Sequence, residues 1–181
     1  MYDTWVTSPE PVYPADPVDV EPARPDAVVD DSGWTALSDG AYEDAVRRFG
    51  DESLANPMRA EPKVGYALAD AALGHFELAA RSVNSGLWLE RDGVRDLKID
   101  DSLGPLVRDL IGQFASARPD QVSEADAAFM VAALHYLLRE VEAAHKTITA
   151  AVENGDRRPG TLNLLDLIND ERKPATVQPH P

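Results

Sequence analysis

The chain has 181 residues, 44% of them apolar, which suffices for one domain with a packed core. Its 32 acidic and 17 basic residues leave a net charge of −15 that repels phosphate backbones and anionic headgroups, so nucleic acid and acidic membrane surfaces are poor partners. With no cysteine, disulfides, thiolate nucleophiles and sulfur-ligated metal centres are excluded.

In chain order, residues 1–32 hold six of the 14 prolines and eight acidic residues against the single Arg24, without helical or alternating periodicity. Residues 1–29 are therefore expected to form a disordered, acidic, proline-rich arm. Its start, Met1-Tyr2-Asp3-Thr4-Trp5, has neither the basic residues nor the apolar stretch of a signal peptide. The compartment stays open between the cytoplasm and export of a chain whose leader is gone. Tyr2, Trp5 and Tyr13 give the arm aromatic anchors. They fit either a segment that visits the protein's own groove or a linker from a longer chain.

From Asp30 onward apolar residues recur at spacings of three and four, the mark of amphipathic helices. Helices are predicted over residues 30–39, 42–54, 59–73, 76–89, 102–117, 123–138, 141–153 and 159–168, with residues 91–101 as the longest irregular connection. The helical domain is then 30–169 and the tail 170–181 is expected to be disordered. The longest apolar run, 127–134, covers eight residues, far short of the ~20 that span a bilayer.

The chain repeats itself. Gly40-Ala41-Tyr42-Glu43-Asp44-Ala45 returns 34 residues later as Gly74-His75-Phe76-Glu77-Leu78-Ala79, and the first copy continues to Phe49 and Pro57. A third copy without the glycine reads Arg139-Glu140-Val141-Glu142-Ala143-Ala144, with Ile148 where Phe49 stood. In this alignment Gly33, Ala67 and Ala132 share one position and Ala45, Ala79 and Ala144 another. Small side chains at fixed places let helix backbones approach closely.

On these residues the chain resembles the tetratricopeptide repeat (TPR) family, over two units at 30–90 and a third at 123–153. The resemblance implies an all-α, right-handed superhelix of antiparallel helix pairs, about seven or eight helices in all. The chain departs from the family in lacking the tryptophan that opens each first helix. The second and third turns stand 65 residues apart rather than two periods, and residues 102–117 with Pro119 look like a second helix missing its first. Pro159 to Ile168 looks like the terminal helix that covers the apolar end of such arrays.

The sequence carries few marks of chemistry. His75, His135, His145 and His180 show no spacing of three or four that would put two on one helix face, so neither a metal nor another cofactor is expected. There is no dinucleotide-binding, phosphate-binding or nucleophile-elbow motif, and carboxylate neighbours arise from composition alone. Asp70 interrupts an apolar helix and reads either as a groove residue that fixes a ligand or as an exposed position.

The resemblance instead implies a module that holds a protein or peptide in its concave groove. It places Trp34, Leu37, Val64, Leu68, Ala71, Phe129, Ala133 and Tyr136 there. These are largely apolar, unlike the lysine and asparagine carboxylate clamp of chaperone-binding members, so an acidic C-terminal peptide is not the expected ligand. In so short an array large first-helix residues also read as packing between repeats. Phe129 fits either place, while Trp34, near the open end, reads as groove. The alternatives are a homodimer built on the same apolar surface and an enzyme with an unrecognised acidic site.

Overall fold

The computed structural model describes residues 31–97 and 99–173. The arm expected at 1–29, the end of the tail, and with them Tyr2, Trp5, Tyr13 and His180 lie outside these residues. Among the described residues the chain is all-helical, with no strand: α1 (Ser32–Ser38), α2 (Tyr42–Ala55), α3 (Glu61–Ala72), α4 (Phe76–Leu89), α5 (Arg91–Asp96), α6 (Gly104–Ala115), α7 (Glu124–Leu137), α8 (Val141–Glu153) and α9 (Pro159–Arg172).

The repeated motif marks one recurring turn. In α1–α2, α3–α4 and α7–α8 the first helix ends on a residue in the left-handed region, and the next backbone N–H reaches back five residues to close the turn. Ala41 N donates to Ala36 O at 2.9 Å, His75 N to Asp70 O at 3.0 Å, and Glu140 N to His135 O at 2.9 Å. The left-handed residues are Gly40 (φ 76°), Gly74 (φ 86°) and Arg139 (φ 61°). A left-handed L-residue costs about 1–2 kcal/mol relative to its right-handed form. Arg139 offsets that strain with its side chain, whose guanidinium donates to Arg95 O at 2.7 Å and Leu97 O at 3.2 Å and faces the Glu171 carboxylate at 3.5 Å.

Small residues recur because the helices touch closely. Ala45, Ala67, Ala79, Ala132 and Ala144 are all fully buried. Phe49 of α2 is held between α1 and α3: a Cβ on Gly33 would lie 2.8 Å from its ring, and one on Gly65 would overlap it. Trp34 closes the same ring edge-on, with centroids 4.9 Å apart.

Two expectations are corrected. Residues 91–101 are not wholly irregular, since Arg91–Asp96 forms α5. So short a helix is marginal by itself. Buried Val94, the Arg95–Asp92 pair at 3.2 Å and the Arg139 guanidinium on its last carbonyls hold it in place. The last helix also runs past residue 168 to Arg172, so residues 170–172 are not tail. That extra turn carries polar anchors: Asp170 lies 3.4 Å from Arg95, Arg172 lies 3.0 Å from Glu142, and Glu171 accepts from the Tyr136 hydroxyl at 2.5 Å.

Helix α9 buries Leu164, Leu167 and Ile168, as expected of a covering helix. It packs on both α4 and α8, which closes the third unit back onto the second. Asn163 donates to Leu87 O at 2.8 Å, and Gly160 sits so near the Asn84 carbonyl that a Cβ there would overlap it.

Candidate functional site

Seven of the eight residues expected in a groove, Leu37, Val64, Leu68, Ala71, Phe129, Ala133 and Tyr136, are buried in the core. The cause is crowding around the first helices. Helix α3 is flanked by α2 and α4 and is also touched by α1, α5 and α6, while α7 packs on α4, α6, α8 and α9. Tyr136 hands its hydroxyl to Glu171, and burial first, then that carboxylate, pushes the phenol above its usual range.

Trp34 alone of the eight stays part-exposed, and it lines a cleft of about 610 Å³ bordered by α1, the start of α3, α5 and the loop into α6. Its indole N–H donates to Glu61 Oε1 at 3.3 Å, and the other Glu61 oxygen pairs with Arg59. Five carboxylates line the cleft, from Asp31, Glu61, Glu90, Asp96 and Asp100, against the guanidinium of Arg59. Glu90 is already engaged, since its carboxylate accepts from Ala60 N at 2.7 Å and caps the positive end of α3. Leu97 and Leu103 supply apolar wall beside the indole. The cleft can therefore hold an apolar or aromatic stem and a positive charge together.

Local sequence patterns do not reveal the carboxylates of this cleft, because they come from α1, α3, α5 and the loop into α6, elements that only the tertiary packing brings together. The structure also corrects the expectation for Asp70. It is neither in a groove nor exposed: the residue is 2% exposed and its Oδ1 lies 2.7 Å from His75 Nδ1 across the turn. In the third unit the pair is reversed, with His135 on the helix and Glu140 beyond the turn at 2.6 Å. The sequence carries the signal at the second and third turns, as an acid and a histidine five residues apart, whereas the first turn has Ala36 and Ala41 at these places. The Asp70 carboxylate also contributes, after burial, to raising the Tyr66 phenol.

A second polar cluster joins α7 to α9. Arg158 pairs with Asp126 and Asp156, the latter at 2.6 Å, and lies over the Phe129 ring at 5.4 Å. Thr161 donates to Asp156 at 3.0 Å. Burial works to raise the Asp156 carboxyl, but hydrogen bonds from Arg158 and Thr161 prevail and hold it below the usual carboxylate range. The carboxylates of Asp156 first, then Asp126, outweigh burial and keep Arg158 firmly charged. Every group here is satisfied within the protein, which fits a structural lock.

Among the described residues no three histidine or acidic side chains gather as a metal site, and no helix is long and apolar enough to cross a membrane. The chain matches no known protein family, no characterised protein and no solved structure.

Proposed function

We propose that this chain is a tetratricopeptide-type interaction module that holds a segment of another protein in the cleft at Trp34. The observation that carries the reading is the part-exposed indole set among five carboxylates and one guanidinium at the mouth of a cleft of about 610 Å³. An aromatic face attracts a desolvated cation, and surrounding negative charge steers it there. The segment is therefore one that presents lysine or arginine beside an apolar residue. This departs from the largely apolar groove implied by the repeat resemblance, whose other seven residues are buried in the core.

The test is selection of a random peptide library on the full chain, with the Trp34→Ala variant as counter-selection. Enrichment of basic peptides that the variant fails to hold supports the reading. Enrichment of acidic or purely apolar peptides, or equal capture by both proteins, contradicts it.

A second reading, self-association, draws on the exposed Leu54, Met58 and Trp88. Light scattering on the eluting protein separates the two, since a monomer at ~100 µM leaves no stable homodimer of the kind whose interface buries about 1,200–2,000 Å².

A further inference from the structure

A separate cleft of about 660 Å³ lies between α2, the turn into α3, and α4, lined among others by Leu54, Pro57, Lys63, Tyr66, Leu78 and Arg81. Its rim is unusually apolar for a surface: Leu54 is 83% exposed and Leu78 45%. Met58 follows Pro57 at one end, and Trp88, 62% exposed, continues the α4 face of Leu78, Arg81 and Ser85. Leu54 and Leu78, both exposed and both on this one cleft, make it a surface suited to an apolar occupant.

Charge selects the occupant. The residues lining this groove include two cations and no carboxylate, the reverse of the Trp34 cleft, on a chain whose net charge is −15. Lys63 is held in place by donating to Pro57 O at 2.6 Å and Arg59 O at 3.2 Å. Arg81 donates through Nε to the Glu77 backbone carbonyl at 3.3 Å, and its outer guanidinium nitrogen faces the exposed Glu77 carboxylate at 3.7 Å, a pair of the kind that contributes little and yields to a competing carboxylate. A complementary segment carries large apolar anchors and negative charge.

The chain carries such a segment itself. Residues 1–30 hold Tyr2, Trp5 and Tyr13 with Asp3, Glu10, Asp16, Asp19, Glu21, Asp26 and Asp30, against one cation, Arg24. We propose that this N-terminal segment docks in the groove between α2 and α4, its aromatic side chains among Leu54, Leu78 and Trp88 and its carboxylates toward Arg81. The chain enters α1 at Asp31, which shares the other cleft with Arg59, two residues from Pro57 on the groove's edge. Thirty residues reach about 100 Å when extended and roughly 30 Å as a coil, so the tether allows the contact. It also supplies an effective concentration near the millimolar range, enough for a contact too weak to form between separate molecules. The five carboxylates of the Trp34 cleft repel the same segment, which leaves that cleft open to a basic partner.

The absence of cysteine makes a clean test. Ser8→Cys carries a nitroxide on the full-length, nitrogen-15-labelled chain, and paramagnetic broadening of backbone amides is read. The expected result is broadening concentrated at Ser53, Leu78, Ser82 and Ser85 that persists on dilution and is largely lost in Arg81→Glu and in Leu78→Ser. Both substituted positions are exposed, and unchanged melting confirms the fold of each variant. A mixture of spin-labelled chains with separately isotope-labelled chains is expected to show no broadening. Broadening in that mixture puts a second copy's segment in the groove and overturns the proposal. So does broadening at Trp34 and Leu97, or broadening spread evenly over the surface.

Discussion

The first two helix pairs and the third share a turn but hold it by different means. At Gly40 and Gly74 the backbone takes its left-handed conformation without strain, and nothing beyond the turn is needed. At Arg139 the same conformation is strained, and three partners, on α5, just past its end and on α9, compensate. The helices differ likewise. Phe49 is clasped by glycines on α1 and α3, close along the chain, whereas the third unit is closed by α9 on α4 and by the Arg158 cluster. A repeat can therefore lose its sequence signature and keep its shape when distant side chains take over the work of local ones.

The most severe test of this contrast is truncation of the equivalent core residues. Phe49→Ala is expected to lose about 4 kcal/mol, because two glycines cannot close over the void, and Ile148→Ala about 3 kcal/mol. Urea denaturation followed by circular dichroism measures both. Equal or reversed losses would mean that the glycine clasp has no special part.

Next in size, Asp156→Ala leaves Arg158 without one of its partners. Discounted for a guanidinium one third exposed, the cost is about 2 kcal/mol. The Asp156 carboxyl lies below its unfolded value of 3.8, so its contribution is complete above that pH and fades as pH falls through the lower folded value. The stability gap between wild type and Asp156→Asn should thus be full above 3.8 and shrink progressively as the pH is lowered beneath it. A gap that grows on acidification contradicts the assigned charge state.

A smaller effect separates the two kinds of turn. Gly74→Arg, which has no α5 to hold, is expected to cost about 1–2 kcal/mol. Arg139→Gly removes strain but also hydrogen bonds worth about 0.5–1.5 kcal/mol each, so its net change stays within about 1 kcal/mol. Its clearest mark is faster amide exchange in α5. Smallest of all, Leu54→Ser on the exposed rim should change stability by no more than about 0.5 kcal/mol.

The sequence made the local half of this fold legible. Starts at Tyr42, Phe76, Val141 and Pro159 coincide with helix starts because periodicity and turn chemistry act within a few residues. Helix α5 was hidden because its six residues owe their shape to Arg139, more than forty residues away. The groove failed for a related reason: the resemblance supplies a concave face, but nothing local states that α5 and α6 come to rest against α3. Trp34 stays part-exposed because α1 stands at the edge of the packing, touching chiefly α2 and α3.

The reading of the Trp34 cleft as the partner site is tested most directly by the indole N–H signal of Trp34, followed by NMR while a basic peptide selected on the full chain is titrated in. The expected result is a saturable shift of that signal together with the Leu97 amide, while the Phe129 and Leu68 amides stay fixed. Trp34→Ala should weaken the peptide at least about thirtyfold, the loss typical of an aromatic anchor at the centre of an interface. Shifts confined to other surfaces, with full affinity retained in Trp34→Ala, would contradict the account.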